Sequence, residues 1–247
     1  MDRRAFLAAA GALAIAPSQL FAKDVRCKAI LFDGFPIFDP RPVFSAAERL
    51  FPGKGDALSA LWKSRQFEYT WLRSLMGRYE EFPDVIRDAL RFAARTLKLD
   101  LGKSQEDELV EAYFRLKAWP DVLPALEKFK AAGIRMGFLS NFSEKMLSEN
   151  IANSHLEGYF DMLLSTDRVK AFKPDPRAYE MGEKELKLDR REIVFVAFAG
   201  WDVAGAKSFG YPTFWANRGH FPEEMLGLHA DATGALSDLE RFAGLAG

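Results

Sequence analysis

The sequence predicts an α/β fold: a Rossmann-like core with a parallel sheet, and a helical cap domain inserted after the first strand. Three observations carry this. The stretch from Ala29 to Asp39 opens as a wholly apolar run, delivers one carboxylate, Asp33, to the end of that run and breaks at Gly34 and Pro36, the pattern of a buried strand bounded by turn residues. Residues 40–118 then carry apolar residues at helical spacing. From Pro120 onward helical and strand patterns alternate, which argues for parallel strands joined by right-handed crossovers.

The inserted helices are expected over Pro42 to Phe51, Asp56 to Met76, Phe82 to Leu97 and Ser104 to Lys117, separated by Pro52-Gly53, Gly77 and Leu101-Gly102. The core resumes with a helix from Asp121 to Ala132, capped by Gly133, and a strand from Ile134 to Leu139 that runs into Ser140-Asn141. A helix from Glu144 to Asn153, a strand from Met162 to Ser165, a helix from Pro176 to Leu186 and a strand from Ile193 to Ala197 follow. A helix from Val203 to Phe209, a strand from Pro212 to Trp215 and a last helix from Leu236 to Phe242 complete the pattern. The division is therefore 23–39 with 119–247 as core and 40–118 as cap.

With 247 residues, 49% hydrophobic and 28% charged, the chain is long enough for one sizeable core and a smaller appended domain. A formal charge of −1 gives no electrostatic reason to expect nucleic acid, so a small molecule is the expected partner. Arg3-Arg4, then Phe6-Leu7, an Ala-rich apolar segment and Leu20-Phe21-Ala22 have the layout of an export signal of the twin-arginine type over residues 1–22. The apolar run is shorter than the roughly 18 residues a spanning helix needs. The expectation is a periplasmic protein, with no membrane association after cleavage and a homodimer left open. Cys27 is the single cysteine, so no intrachain disulfide can form, and it reads as an inert small residue.

In an open α/β sheet ligands sit outside the carboxyl ends of the strands, which makes Asp33 the first candidate for chemistry. Asp33, Ser140-Asn141 after a strand, Lys173-Pro174 in a loop and Asp202 within Gly200-Trp201-Asp202-Val203-Ala204-Gly205-Ala206 follow one another in order. Together they resemble the haloacid dehalogenase superfamily, whose nucleophilic Asp ends the first strand. The segment Leu61-Trp62-Lys63-Ser64-Arg65-Gln66-Phe67-Glu68-Tyr69-Thr70-Trp71-Leu72-Arg73-Ser74-Leu75-Met76 is very similar to the same helix in the (S)-2-haloacid dehalogenase branch. The resemblance implies covalent catalysis, in which Asp33 attacks a carbon and water opens the ester. It gives Lys173, Ser140, Asn141 and Asp202 catalytic roles beside Asp33. Substrate contacts are implied at Phe35, Ile37, Lys63, Phe67, Phe82 and Trp201, with Tyr179 in support. Metal-dependent relatives have a second Asp where this chain has Phe35, so no metal, no other cofactor and no phosphoryl transfer are expected.

The departures bear on the leaving group. The dehalogenases have Thr where this chain has Ile37, Arg where it has Lys63, Gly where it has Pro36, and Ser and Asn where it has Ala197 and Ala199. The resemblance assigns that Arg, with the residue matching Asn141, to the halide, and that Ser and Asn to the hydrolytic water. Lysine lacks the planar fork of arginine. The first reading is therefore attack at the α-carbon of a small (S)-2-substituted carboxylic acid with a strained ring amine leaving, as in the azetidine-2-carboxylate hydrolase offshoot of the branch, which gives 4-amino-2-hydroxybutyrate. The second is an (S)-2-haloacid dehalogenase that releases halide and an (R)-2-hydroxy acid. The third is a non-catalytic binding protein of the same fold.

Overall fold

The computed structural model describes residues 27–245; the export signal expected over residues 1–22 lies outside them. The chain opens with β1 (Ala29–Phe32), turns through a one-turn helix, α1 (Gly34–Ile37), and enters a two-residue strand, β2 (Phe38–Asp39). Four helices follow, α2 (Arg41–Leu50), α3 (Gly55–Leu75), α4 (Phe82–Thr96) and α5 (Lys103–Glu111), before β3 (Lys117–Ala118) pairs antiparallel with β2. The rest alternates: α6 (Val122–Ala131), β4 (Arg135–Ser140), α7 (Glu144–Asn153), β5 (Met162–Ser165), α8 (Pro176–Leu186), β6 (Ile193–Ala197), α9 (Gly200–Phe209), β7 (Thr213–Trp215), β8 (Ala232–Thr233) and α10 (Leu236–Phe242).

Among the described residues six strands form one parallel sheet in the order β5-β4-β1-β6-β7-β8. Every residue of β1 and of β6 is buried, which is why both read as unbroken apolar runs rather than alternations. Strand β1 pairs with β4 on one side and β6 on the other, so the strand order reverses at its carboxyl end and a crevice opens there. The inserted helices complete the enclosure. Helix α4 buries Phe82, Val85, Ile86, Ala89, Leu90, Ala93 and Ala94, a stripe at helical spacing that joins the same apolar cluster as Phe32, Phe38 and Phe138 of the sheet region.

The expected elements are present, α1 and β8 are additions to them, and three further differences stand out. The helix expected to reach Lys117 ends at Glu111 and becomes a 3-10 turn over Ala112–Phe114. There the carbonyls of Tyr113 and Phe114 accept from the amides of Asn150 and Asn153, both at 2.9 Å, and Asn150 Oδ1 takes the Leu116 N–H at 2.8 Å. Partners on α7 thus replace the next helical bonds, which no local periodicity could signal. Helix α9 starts at Gly200, earlier than the expected Val203, and so carries Asp202 in its first turn. The short ladder of β2 with β3 is too brief to register as a strand pattern. No helix among the described residues is long and apolar enough to cross a membrane. Cys27 is half-buried, and burial pushes its thiol up to about 11, away from the reactive thiolate form.

Candidate active site

Asp33 follows the last residue of β1 and caps α1 with extended backbone geometry, its Oδ2 accepting the Phe35 N–H at 3.4 Å. Its other oxygen is held far more firmly. Oδ1 accepts from Lys173 Nζ at 2.9 Å and from the Ser140 hydroxyl at 3.1 Å. Ser140 ends β4, and its Oγ in turn accepts the Phe142 N–H at 3.2 Å, so its hydrogen is directed at Asp33. The two carboxylate oxygens are therefore unlike: Oδ1 is fixed by two donors, whereas Oδ2 keeps free electron pairs.

Lys173 is buried, with its side chain 1% exposed, and its ammonium also donates to Asp202 Oδ2 at 2.6 Å. Its backbone N–H donates to Asn141 Oδ1 at 3.0 Å, which ties the lysine loop to the end of β4. Asp202 receives a further hydrogen bond on Oδ1 from the Tyr179 hydroxyl at 2.7 Å. One ammonium thus serves two carboxylates. Burial alone would push the Lys173 ammonium down, but the carboxylates of Asp202 and Asp33 outweigh it and lift the group above its ordinary value. Burial pushes Asp202 up to about 6; the Lys173 ammonium opposes that rise and the neighbouring Asp33 charge adds to it. Asp202 is accordingly a carboxylate that can take a proton near neutrality.

A water-sized cavity of about 20 Å³ lies against this cluster, lined by Asp33, Ser140, Asn141 and Asp202 and by Phe35, Phe67, Phe82, Phe142, Phe198, Ala199 and Trp201. The aromatic rings pack on one another: Phe35 lies 5.1 Å from Phe142 and 5.5 Å from Phe198, and Phe67 lies 5.3 Å from Trp201. Outside it is a vestibule of about 520 Å³, whose lining shares Phe35, Phe67, Phe198, Ala199 and Trp201 and adds Arg41, Lys63 and Arg218. An apolar wall around a small charged floor excludes water and strengthens the electrostatics inside.

The structure brings Asp33, Ser140, Asn141, Lys173, Asp202, Phe35, Phe67, Phe82 and Trp201 together as expected. Three expected substrate contacts stand elsewhere. Ile37 is fully buried in the apolar core and lines neither cavity, because α1 turns its side chain inward. Tyr179 is fully buried behind Asp202 and acts on it rather than on the cavity. Lys63 is exposed and lines the vestibule alone, its Nζ 5.5 Å from the ring of Phe44. Ala197, one of the departing positions, is also buried away from both cavities, whereas Ala199 lines both. Sequence reasoning missed Phe142 and Phe198; their only signal was adjacency to Asn141 and to Ala199.

No group of three or more His, Cys, Asp or Glu side chains among the described residues could hold a metal ion. The cation between Asp33 and Asp202 is the Lys173 ammonium itself.

The sequence model of the haloacid dehalogenase-like hydrolases matches residues 8–210. An (S)-2-haloacid dehalogenase of Pseudomonas sp. (strain YL) is 44% identical over 200 residues, which is 80% of this chain and 86% of that protein. Haloacetate dehalogenase H-2 of Moraxella sp. (strain B) is 40% identical over 214 residues, 86% of this chain and 96% of its own length. The structure of the L-2-haloacid dehalogenase from Xanthobacter autotrophicus with chloropropionic acid covalently bound superimposes with a TM-score of 0.81 at 33% identity, covering 89% of this chain and all of that one. Beside an intact charged cluster, these similarities leave the non-catalytic reading without support.

Proposed function

The chain belongs to the haloacid dehalogenase-like hydrolases, and from that premise we propose that it hydrolyses small (S)-2-halocarboxylic acids through an ester on Asp33. In the first step Asp33 Oδ2 attacks C2 of the substrate from the side opposite the halogen. The new O–C bond forms as the C–halogen bond breaks, and the halide leaves with the bonding pair. In the second step water adds to the carboxyl carbon of Asp33, Asp202 takes its proton, and the ester opens to the (R)-2-hydroxy acid with the Asp33 carboxylate restored. Lys173 and Ser140 hold Oδ1 throughout, which aims Oδ2 and stabilises the charge that returns to the carboxyl oxygens on hydrolysis. Binding of a small 2-halocarboxylic acid is supported by the names of the relatives and by the vestibule of about 520 Å³ that shares its aromatic lining with the inner cavity.

The observation that carries this reading is the asymmetry of Asp33, a residue that lines the aromatic cavity with one oxygen held by two side-chain donors and the other met only by the Phe35 N–H at 3.4 Å. The test is free halide from (S)-2-chloropropionate, with a single turnover in ¹⁸O-water. Chloride release, inversion at C2 and label in the Asp33 side chain are expected. Label entering product directly, with none in Asp33, would reject the covalent route.

A second reading has one observation in its favour. Lys63 stands exposed in the vestibule and Ala199 lines both cavities with a methyl group, so the halide contact implied by the resemblance at the first position and the water contact implied at the second are both weakened. With a strained ring, the same attack at C2 would break the ring C–N bond, the amine would take a proton, and azetidine-2-carboxylate would yield 4-amino-2-hydroxybutyrate. Of the four departures that remove or weaken a polar side chain, two, Ile37 and Ala197, do not face either cavity, and this ranks it second. Offering both acids side by side separates the readings by chloride against amine.

A further inference from the structure

The residues that follow the nucleophile carry a feature the reaction scheme does not use. A one-turn helix leaves its last carbonyls without partners of its own, and in α1 only that of Gly34 is met from the immediate chain, by the Phe38 N–H. The next three carbonyls in succession are met from outside by two side chains and one amide. Phe35 O accepts from Trp119 Nε1 at 3.0 Å, Pro36 O from Arg218 Nη2 at 2.8 Å, and Ile37 O from the Trp119 backbone N–H at 3.0 Å.

The donors are themselves immobilised. Arg218 is held by Asp121, with contacts of 3.0 and 3.2 Å, and its Cζ lies 4.7 Å from the centroid of the Trp119 ring. Arg41, gripped by both oxygens of Asp39, brings a second guanidinium to 4.6 Å from the same ring. Two cations on one indole fix its plane. Trp119 immediately follows β3, at the point where the chain returns from the inserted helices to the sheet.

We infer that Trp119 and Arg218 form a positioning unit that holds the α1 turn in register, and through it the approach of Asp33 Oδ2 and the Phe35 ring that separates the inner cavity from the vestibule. It rests on the reading of Asp33 as nucleophile. Rotation of the turn would carry Phe35 with it, and Phe35 supplies both the N–H on Oδ2 and a ring shared by the two cavities. A misplacement of about 1 Å at a reacting atom can cost up to roughly a hundredfold in rate, so loss of one donor is expected to show in the chemical step rather than in binding.

The test uses Trp119→Phe, which keeps an aromatic ring but loses the indole N–H, with Arg218→Gln and Arg218→Lys. Ester formation on Asp33 is followed by mass in single turnovers with (S)-2-chloropropionate and with azetidine-2-carboxylate, and hydrogen exchange is followed over residues 34–38. Trp119→Phe and Arg218→Gln should each slow ester formation about tenfold with substrate half-saturation moved by less than about threefold. Arg218→Lys should restore part of the rate, exchange over the turn should rise, and the double variant should lose less than the product of the two single losses. If Arg218→Gln fails to fold, Trp119→Phe and Arg218→Lys carry the comparison. Wild-type ester formation with unchanged exchange in folded variants overturns the inference, as does a rise in half-saturation alone, which would make these residues substrate contacts. Raised exchange in the variants while the wild type forms no ester from either acid keeps the positioning unit and strikes the proposed function instead.

Discussion

The floor and the lip of the site are built by opposite means. The floor is a chain of direct bonds, Ser140 to Asp33 to Lys173 to Asp202 to Tyr179, each link between 2.6 and 3.1 Å and nearly every member buried. The lip, where the inner cavity meets the vestibule, is Phe35, Phe67, Phe198, Ala199 and Trp201, joined by ring packing, with an exposed Lys63 beyond. A bonded floor tolerates little change because any lost member leaves a buried charge or donor unpaired. A packed lip can exchange residues at small cost, and the residues that depart from the dehalogenase pattern and still touch the cavities, Ala199 and Lys63, are both there. The contrast predicts that reaction type is held in the floor and leaving-group preference in the lip.

The largest effect should come from the floor's exposed end. Asp33→Asn removes the attacking oxygen and should lower turnover by about a thousandfold or more, on the scale of a lost nucleophile. Its fold should survive, because the change leaves one ammonium paired with one carboxylate, Lys173 with Asp202. Turnover within tenfold of wild type, once deamidation back to Asp has been excluded by mass, would mean the floor does not hold the nucleophile.

Lys173→Met should also abolish activity, but with a different signature. It strips the shared cation from two carboxylates, one of them 2% exposed, and breaking a buried pair from one side typically costs about 3–5 kcal/mol. Denaturant unfolding should register that loss. A Met variant as stable as the wild type would show the floor to be hydrated and the buried-cluster description wrong.

The next effect is a pH shift. Burial raises the Asp202 carboxyl to about 6, so its proton persists to that pH and the hydrolytic step, which needs the carboxylate, should fall as pH drops through about 6. Lys173, lifted above its ordinary value by the carboxylates of Asp202 and Asp33, adds no fall at neutral pH. The Tyr179 hydroxyl donates to the Asp202 carboxylate and opposes the rise. Tyr179→Phe should therefore move the acid limb to higher pH, by roughly half to one pH unit for a hydrogen bond of about 1 kcal/mol. A limb that stays in place would remove Asp202 from the proton transfer.

Legibility in the sequence followed the same divide. Asp33 could be singled out from its place at the end of an apolar strand, and Ser140, Asn141, Lys173 and Asp202 because, in that order, they resemble the haloacid dehalogenase motifs. Facing direction could not. Ile37 and Tyr179 sit close in sequence to site residues, yet α1 and α8 turn them into apolar clusters, and Phe142 and Phe198 reach the cavity although nothing in their spacing marks them. Trp119 and Arg218 were invisible for another reason: their role depends on meeting carbonyls 84 and 182 positions away in the chain. That the sheet is parallel was accessible from alternation, whereas the strand order emerges only in three dimensions and the early end of α5 depends on amides of α7.

The smallest effect, and the one that most sharpens the contrast, belongs to the lip. Ala199→Asn adds a polar group to a residue that lines both cavities, and Lys63→Arg adds a planar fork in the vestibule. Neither replaces a side chain of the bonded floor, although the Ala199 carbonyl accepts the Asp202 N–H at 3.1 Å, so ester formation on Asp33 should continue in both. If the lip sets leaving-group preference, the pair of changes should raise chloride release from (S)-2-chloropropionate relative to amine release from azetidine-2-carboxylate by roughly tenfold, the scale of one charge-assisted hydrogen bond of about 1.5 kcal/mol. Ile37→Thr and Ala197→Ser, whose parent side chains are fully buried and line neither cavity, should leave that ratio within about twofold and instead cost stability, since each buries a hydroxyl in an apolar cluster. The reverse outcome, a ratio that moves with Ile37 and Ala197 but not with Ala199 and Lys63, would mean that preference is set from behind the floor and that the lip is only a wall.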